Sequence, residues 1–204
     1  MPVFSEDTPF DLLREIETPR LLIRRLNMRD AGDLFAYSRD PEVARYVLWE
    51  AQKSVGEARA FIRYCLRRYR LGEPASLGIV LKETNRVIGT IGFMWYQRDN
   101  NSAEIGYSLA REYWNRGIMT EAVQALIAFA FRRMRLNRIE AQHEVENPAS
   151  GRVMAKAGMI REGTLRSRLF NKGRYVDVDL YAILRTDFTR GQETGGPCGA
   201  SNTM

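Results

Sequence analysis

Three short apolar segments in the middle of the chain constrain its fold more than any other feature. They cover residues 77–81, 87–96 and 103–109, and polar turn-forming clusters separate them at residues 83–86 and 99–101. Strand-length runs joined by short turns predict an antiparallel meander. A long apolar helix is predicted next, over about residues 117–134, and then a strand over residues 138–145. This order of elements predicts a mixed α/β sheet covered by helices.

Two further helices carry recognisable end signals. In residues 54–70 apolar side chains recur every three or four residues, and Glu57 follows Ser54 at the spacing of a capping box. In the second, Asn147 can cap the helix, Pro148 suits its first position and Gly158 suits the position beyond its end. The remaining predicted elements are a strand near 21–23, short helices at 30–38 and 41–47, and strands near 164–170 and 175–184 around a turn at 171–173.

Length and composition exclude several classes of protein. The 204 residues suit one domain, and 45% apolar with 27% charged residues is typical of a soluble globular protein. No apolar run approaches the roughly 20 residues that span a bilayer, and the N-terminal residues lack the layout of a signal peptide. We therefore expect a cytoplasmic protein with no membrane association. Cys65 and Cys198 have no CxxC spacing, which indicates neither a disulfide framework nor a metal site.

The chain is expected to divide into three parts. Residues 1–16 are predicted to form a loosely attached N-terminal arm, residues 17–188 the folded domain and residues 189–204 a disordered tail, because the tail is rich in Gly, Ser, Thr and Pro. The arm carries apolar side chains that could pack on a partner subunit, so a homodimer is one alternative for the oligomeric state. These side chains are Phe4, Phe10, Leu12 and Leu13.

The formal charge of +6 comes mainly from arginines that cluster at residues 24–25, 67–70 and 132–135. Nucleic acid, an anionic cofactor or an acidic acceptor would be attracted to such surfaces. The second and third clusters fall where helices are expected to end, where cations are favoured. The interpretation we favour is therefore solvated helix ends, and no specific nucleic acid partner is expected.

One segment, residues 113–122, has the features of an anion site. A predicted strand leads into a loop that contains Gly117 and opens directly into the long helix. Unpaired N–H groups at a helix start favour a phosphate or pyrophosphate, and Arg116 adds a full positive charge. The alternative is a plain strand-to-helix turn.

Five segments carry a family resemblance: Glu17-Thr18-Pro19-Arg20-Leu21, Ala103-Glu104-Ile105-Gly106-Tyr107, residues 113–122, Asn147-Pro148-Ala149-Ser150 and Lys156-Ala157-Gly158-Met159. In their order and spacing they resemble the GNAT acyltransferases, and within them the ribosomal-protein-alanine N-acetyltransferase (RimJ/RimL-like) group. The resemblance covers residues 17–188 and implies the fold of that family: a mostly antiparallel sheet of about seven strands with helices on both faces. It also implies acetyl-CoA as co-substrate and no metal.

The resemblance implies a set of cofactor-binding residues. The pyrophosphate pattern of the family falls on Trp114, Gly117 and Met119, of which only the glycine is retained. A large side chain at Met119 could crowd the cofactor, but backbone N–H groups supply the hydrogen bonds, so cofactor binding is expected to survive. The strand around Tyr107 is similar to the one that pairs with the pantetheine arm, and Asn147 to the asparagine that holds its amide. The implied cofactor-binding residues are Tyr107, Ser108, Leu109, Trp114, Asn115, Arg116, Gly117, Ile118, Met119, Thr120, Asn147, Ser150 and Lys156.

Two residues are candidates for catalysis. Glu104 stands on the strand beside the expected cofactor arm and is predicted to act as general base through water, the alternative being a structural or solvated glutamate. Many family members place a proton-donating tyrosine where this chain has Met154, and RimL-like sequences can carry a glutamate where it has Leu169. The resemblance points to Ser150 near the thioester sulfur as the replacement, the alternative being a helix cap.

Three functions from different classes follow. The first is an N-acetyltransferase acting on a protein N-terminal α-amine or a small-molecule amine, with a ribosomal protein among the candidate acceptors. The second is an acyl-CoA-binding sensor without catalysis, and the third a ribosome- or RNA-associated module.

His143 is the only histidine and lies in register with Ile139 and Ala141, which predicts a partly buried structural role.

Overall fold

The computed structural model describes residues 8–193, and within them eight strands form one sheet. The strands are β1 (Glu15–Glu17), β2 (Leu21–Arg24), β3 (Ser76–Leu81), β4 (Arg86–Gln97), β5 (Ser102–Leu109), β6 (Arg138–Glu144), β7 (Ile160–Asn171) and β8 (Arg174–Leu184). The helices are α1 (Ala31–Ser38), α2 (Pro41–Ala44), α3 (Val55–Arg70), α4 (Ile118–Arg132), α5 (Pro148–Lys156) and α6 (Arg185–Glu193).

The sheet order is β1-β2-β3-β4-β5-β6-β8-β7, and one neighbouring pair runs parallel. β5 and β6 pair only over residues 102–104 and 138–140, although β5 continues to Leu109 and β6 to Glu144. Beyond Glu104 and Glu140 the two strands therefore separate. We call this opening the strand gap. It leaves backbone hydrogen-bonding groups of β5 without a strand partner on that side.

The predicted meander and the predicted mixed sheet are confirmed. β3, β4 and β5 pair antiparallel in sequence order, and the expected helix ends at Ser54, Asn147 and Gly158 are present. Gly158 has a φ of 90°, a left-handed conformation that suits glycine beyond a helix end. The sheet has eight strands where about seven were expected, because the short strand β1 pairs along β2.

Helices cover both faces of the sheet, and strand alternation decides which side chains meet them. On β5, Ser108 lies within 3.4 Å of the Tyr37 hydroxyl of α1, whereas the neighbouring Tyr107 reaches Ser150 of α5. Successive side chains of a strand point to opposite faces. We call the two sides the α1 face and the α5 face. Helix α3 packs on α1, and α4 packs on α5.

Helix α4 forms the centre of the core on the α5 face. Its buried side chains recur at helical spacing, and Ala122, Val123 and Leu126 are fully buried. Each large aliphatic side chain removed from water contributes about 1.5–3 kcal/mol. Because this apolar stripe fixes the rotation of α4, it also fixes the direction in which the first turn of the helix points.

Two predictions about the ends of the domain are corrected. Phe10 and Leu13 were expected in a loosely attached arm, but both are buried in the core, where Phe10 packs edge-on against Phe93 at 5.3 Å. They are therefore not free to pack on a partner subunit. Helix α6 runs to Glu193, whereas disorder was expected from residue 189. Phe4, Cys198 and residues 194–204 lie outside the described residues.

The structure adds two findings about membranes and metals. Among the helices within residues 8–193, none combines the length and apolar character needed to cross a bilayer. Within the same residues, no group of three or more His, Cys, Asp or Glu side chains is arranged to hold a metal ion.

Candidate active site

The first turn of α4 presents free backbone N–H groups. Gly117 occupies the position before the helix with a φ of 70°, and no side chain caps the helix start. Asn115 is also left-handed, with a φ of 59°. A residue with a Cβ would be strained at Gly117, which explains the retained glycine. The arrangement directs several N–H donors and the positive end of the helix dipole to one spot.

Two arginines add positive charge to this loop. Arg116 is exposed and lies over the Tyr113 ring at 5.6 Å. Arg20 immediately precedes β2, and its Nη1 donates to the Arg116 carbonyl at 3.0 Å. Arg20 Nη2 is 3.7 Å from the position of a Cβ on Gly117. No local pattern places Arg20 here, because 96 residues separate it from Arg116.

Glu121 holds Arg20 in this position. It accepts hydrogen bonds from Thr18 Oγ1 at 2.6 Å, from the Arg20 backbone N–H at 3.1 Å and from Arg20 Nε at 2.6 Å. Burial alone would raise the pKa of Glu121, but these hydrogen bonds outweigh it and lower the pKa. The carboxylate therefore stays charged and ties the first turn of α4 to β2.

The other predicted residues of this loop take distinct positions. Trp114 Nε1 donates to the Leu109 carbonyl at 2.8 Å, which ties the loop to the end of β5. Ile118 and Met119 are buried in the core, so the Met119 side chain points away from the space where it could crowd a cofactor. Ile118 and Met119 can therefore contribute only backbone N–H groups to the binding of an anion. Thr120 is half-buried on the first turn.

Tyr107 and Ser150 meet across the strand gap on the α5 face. The Tyr107 hydroxyl lies 3.0 Å from Ser150 Oγ and donates to the Ser150 carbonyl at 3.1 Å. Asn147 Oδ1 accepts from the Ser150 N–H at 3.4 Å, so its side chain caps α5. Lys156 lies six residues further along α5, about 9 Å away along the helix axis, with an exposed side chain. Lys156 is therefore not brought into this group.

Tyr107 supplies a hydroxyl group that sequence reasoning missed. Met154 is 1% exposed and has no proton to give. Tyr107 was expected to contribute through its backbone, yet its hydroxyl contacts the serine predicted to replace the missing tyrosine. Burial raises the pKa of Tyr107, which keeps the phenol protonated at neutral pH. Strand alternation over residues 103–109 was the sequence signal that could have placed the Tyr107 side chain on the same face of the sheet as Ile105.

Glu104 lies on the α1 face, on the opposite side of the sheet from Ser150. Its carboxylate accepts hydrogen bonds from Trp95 Nε1 at 2.6 Å and from Gln142 Nε2 at 3.1 Å. Burial raises the pKa of Glu104, and the two hydrogen bonds offset this only in part. A half-buried carboxylate with a raised pKa suits a general base. Ser108, also on this face, contacts Thr90 at 3.2 Å, so only its backbone faces the strand gap.

His143 is buried beneath the first turns of α5. Its Nδ1 lies 2.7 Å from the Glu144 carbonyl oxygen, which can only accept, so Nδ1 carries the proton. Nε2 is the one buried side-chain nitrogen or oxygen within residues 8–193 that has no hydrogen-bond partner. A Cβ on Gly151 would lie 2.6 Å from Nε2, so the glycine makes room for the imidazole. The predicted burial of His143 is confirmed.

The comparison with known protein families decides the identity of this fold. Residues 20–160 match the acetyltransferase (GNAT) domain. The chain belongs to the GNAT acetyltransferase family. The matched stretch contains Arg20, the loop before α4, Glu104 and the α5 residues, which are the parts of the GNAT domain that surround the strand gap.

Relatives and solved structures agree with this GNAT assignment. N-acetyltransferase p20 of Bacillus licheniformis is 37% identical over 86% of this chain and 99% of its own length. The ribosomal-protein-serine acetyltransferase of Escherichia coli is 37% identical over 53% of this chain and 60% of its own. Relatives of this kind are consistent with the RimJ/RimL-like group. The chain is therefore an acyltransferase with relatives that modify ribosomal proteins.

Solved GNAT structures share the same architecture. An acetyltransferase of the GNAT family from Bacillus anthracis superposes with a TM-score of 0.76 at 31% identity, covering 84% of this chain and 99% of its own. The acetyltransferase MccE, solved with acetyl-CoA and AMP, superposes with a TM-score of 0.76 at 20% identity, covering 82% and 93%. The second comparison shows the fold alone.

Proposed function

We propose that residues 17–188 form an N-acetyltransferase domain that moves an acetyl group from acetyl-CoA to a primary amine by direct attack in a ternary complex. One observation carries this proposal. The strand gap opens beside the free N-terminus of α4 and has a hydroxyl pair on one face and a carboxylate with a raised pKa on the other. Two substrates could thus meet in the gap from opposite sides of the sheet.

The α5 face fits the donor. A pyrophosphate would receive hydrogen bonds from the N–H groups at the start of α4 and charge from Arg20 and Arg116. The pantetheine arm would pair with the free edge of β5 along residues 107–109, as an added strand does. The match of residues 20–160 to the acetyltransferase (GNAT) domain supports the choice of donor.

The proposed chemistry assigns one proton transfer to each face. The amine must be neutral to attack the thioester carbon, and Glu104 takes its proton through a water molecule. The carbon–sulfur bond of the thioester then breaks, and the thiolate takes a proton from the Ser150 hydroxyl. The Tyr107 hydroxyl can then return a proton to Ser150. An α-amine with a pKa near 7.8 costs about 1 kcal/mol to deprotonate at pH 7, and a lysine about 4.6 kcal/mol. We therefore propose a protein N-terminal α-amine or a small-molecule amine as acceptor.

The named relatives favour a protein among the candidate acceptors. The Escherichia coli relative is a ribosomal-protein-serine acetyltransferase, and a second, the ribosomal protein uS5 alanine N-acetyltransferase, is 26% identical over 87% of this chain. We propose a ribosomal protein N-terminus as the first acceptor to test, with small amines as the comparison.

Calorimetry and a thiol-release assay test the proposal. We expect acetyl-CoA to bind with one site per chain and free thiol to appear when N-terminal peptides or amines are added. Glu104→Gln and Ser150→Ala should lower kcat while acetyl-CoA affinity is retained. Binding without turnover of any amine would instead favour a sensor, and the absence of binding would overturn both. Gly163→Ala, at a position with nothing within 4 Å, is the matched control for substitution itself.

A further inference from the structure

Helix α3 carries a row of exposed arginines along one side. We call this row the arginine stripe, and it consists of Arg59, Arg63, Arg67 and Arg70. At 3.6 residues per turn the four positions fall within about 80° of the helix circumference. At 1.5 Å per residue they span about 16 Å along the helix axis. The stripe is therefore a nearly straight row of positive charge on the surface.

The guanidinium groups of the arginine stripe are not neutralised by the folded domain. None of the four forms a hydrogen bond or an ion pair with any residue between 8 and 193. In contrast, the neighbouring Arg68 pairs with Glu73 at 3.3 Å. Glu57 is the only acidic residue of α3, and it lies about 160° around the helix from Arg59. Its carboxylate accepts from the backbone N–H of Lys53 at 2.9 Å.

The electrostatics of the helix itself does not account for the arginine stripe. The helix dipole favours cations in the last turn, which contains Arg67 and Arg70. Arg59 and Arg63 lie in the second and third turns, where this effect is absent. Arg63 is also four residues from both Arg59 and Arg67, a spacing at which like charges repel each other. The expected solvated helix end thus explains only part of the stripe, and the whole row suits an extended external anion.

The surroundings of the stripe do not suit a lipid surface. A helix that binds a membrane buries an apolar face in it. The apolar side of α3 is buried in the core instead, with Ala58, Ile62 and Cys65 fully buried. Tyr64, which is 54% exposed, is the one large apolar side chain that α3 presents to solvent within the described residues.

Tyr64 adds an aromatic ring beside the row of charge. It precedes Arg67 by three residues, so the two side chains are neighbours on the helix surface. The Arg68 guanidinium lies over the Tyr64 ring at 5.5 Å from its centroid. Proteins that bind single-stranded nucleic acid combine a positive track for the phosphates with aromatic rings on which bases stack. The arginine stripe and Tyr64 supply both parts.

We infer that the arginine stripe binds a single strand of RNA, with phosphates against the four guanidinium groups and a base against Tyr64. A guanidinium suits a phosphate because it donates two parallel hydrogen bonds. Phosphate contacts carry no sequence information, so this binding is independent of sequence and agrees with the expectation of no specific nucleic acid partner. The choice of RNA over DNA rests on the proposed function, in which a ribosomal protein is an acceptor. Helix α3 packs on α1, on the side of the sheet that carries Glu104.

Fluorescence anisotropy with a labelled uridine oligonucleotide of about twelve nucleotides tests the inference on the full chain. Binding should weaken with salt, with a slope of log K against log salt concentration of about −3, because four arginines each contribute about −0.7 on a single strand. DNA of matched length and sequence, polyglutamate and vesicles containing phosphatidylserine are the comparison ligands. We expect none of them to bind more tightly than the RNA, and polyglutamate and vesicles to bind more weakly.

Variants of the stripe separate charge from general damage. Arg63→Gln should reduce the steepness of the salt slope by about 0.7, and Arg59→Gln with Arg63→Gln by about 1.4. Arg63→Lys should keep the slope, because it keeps the charge. Arg166→Gln is the matched control, since it removes an exposed arginine that has no hydrogen bond or ion pair with residues 8–193. Tyr64→Ala should weaken RNA binding about tenfold with the slope unchanged.

A salt slope that falls in Arg63→Gln but not in Arg166→Gln supports the inference. The inference is overturned by an absence of RNA binding at low salt, by a slope that Arg63→Gln leaves unchanged, or by full affinity in Tyr64→Ala. Equal or tighter binding of polyglutamate or vesicles would overturn it in favour of another partner, and tighter binding of DNA would overturn the choice of RNA. Thiol release with a small amine should be the same in Arg63→Gln as in the unmodified protein. Failure of every amine to release thiol would overturn the proposed function, whereas the RNA measurement stands apart from that result.

Discussion

The contact between Glu121 and the start of β2 gives the sharpest stability prediction. In Glu121→Gln, the amide oxygen can still accept from Thr18 and from the Arg20 backbone, but the amide nitrogen faces Arg20 Nε. A donor then meets a donor where a 2.6 Å charged contact existed. The substitution keeps the size of the side chain and removes its charge.

The expected loss of unfolding free energy in Glu121→Gln follows from the solvent exposure of the Arg20 and Glu121 side chains. A hydrogen bond to a charged group contributes about 1.5–3 kcal/mol. The Arg20 side chain is 46% exposed and that of Glu121 18%, so solvent screening reduces this contribution to about 1 kcal/mol. Weakening of the two remaining bonds brings the total to roughly 1.5 kcal/mol. For a domain of this size we expect Tm to fall by about 3–6 °C.

The pH dependence of this loss identifies its cause. The pKa of Glu121 in the folded state lies below its ordinary value of 4.5, so its stabilising effect is fully present above that pH and is lost as pH falls through the folded pKa. Thermal unfolding at pH 7 and at pH 3 should therefore give a difference between variant and parent that shrinks at the lower pH. Acetyl-CoA binding at pH 7 should weaken, because Arg20 is no longer fixed beside Gly117.

Glu112→Gln is the matched control, since it removes the same charge from the neighbouring turn, where Glu112 has no hydrogen bond to any described residue. An unchanged Tm for Glu121→Gln at pH 7, or an undiminished difference at pH 3, would refute the reasoning.

Three further predictions concern the strand gap. Gly151→Ala places a Cβ 2.6 Å from His143 Nε2 and should destabilise the protein by about 1–3 kcal/mol in urea unfolding, whereas Gly32→Ala, with nothing within 4 Å, should not. Trp95→Phe removes a hydrogen bond that lowers the pKa of Glu104, so the acidic limb of the kcat/KM profile should move to higher pH; an unmoved limb would argue against Glu104 as base. Tyr107→Phe should lower kcat about tenfold or more with KM for acetyl-CoA little changed, and equal kcat would exclude its hydroxyl from proton transfer.

The sequence predicted elements that local chemistry specifies. The ends of α5 followed from Asn147, Pro148 and Gly158, each of which acts within a few residues of its own position. The geometry of the loop before α4, on which the predicted anion site depends, followed from a strand, a glycine and a helix start in immediate succession. The hairpin turn at residues 171–173 is likewise local, with Lys172 and Gly173 both left-handed.

Other parts of the site depend on contacts between distant residues. Arg20 and Glu121 are 101 positions apart, and no pattern in either segment marks their pairing. Ser167 is left-handed because Asp177 of the next strand accepts its N–H, and a serine in a strand gives no local sign of this. Such contacts become visible only after the sheet order is known.

The three-pair ladder between β5 and β6 divides the sheet into two mechanical units. Strands β1 to β5 are joined by antiparallel pairing on one side, and β6, β8 and β7 on the other. Only a short seam of main-chain hydrogen bonds connects the units. Helix packing adds to this connection, because α4 lies on β1 and β4 of one unit, α5 lies on β6, β7 and β8 of the other, and the two helices contact each other. Of the amide hydrogens of β5 beyond Glu104, we expect those that point into the strand gap, and not those paired with β4, to exchange rapidly in the free protein and slowly once a ligand bridges the seam. The substrate itself would then be a structural link between the halves.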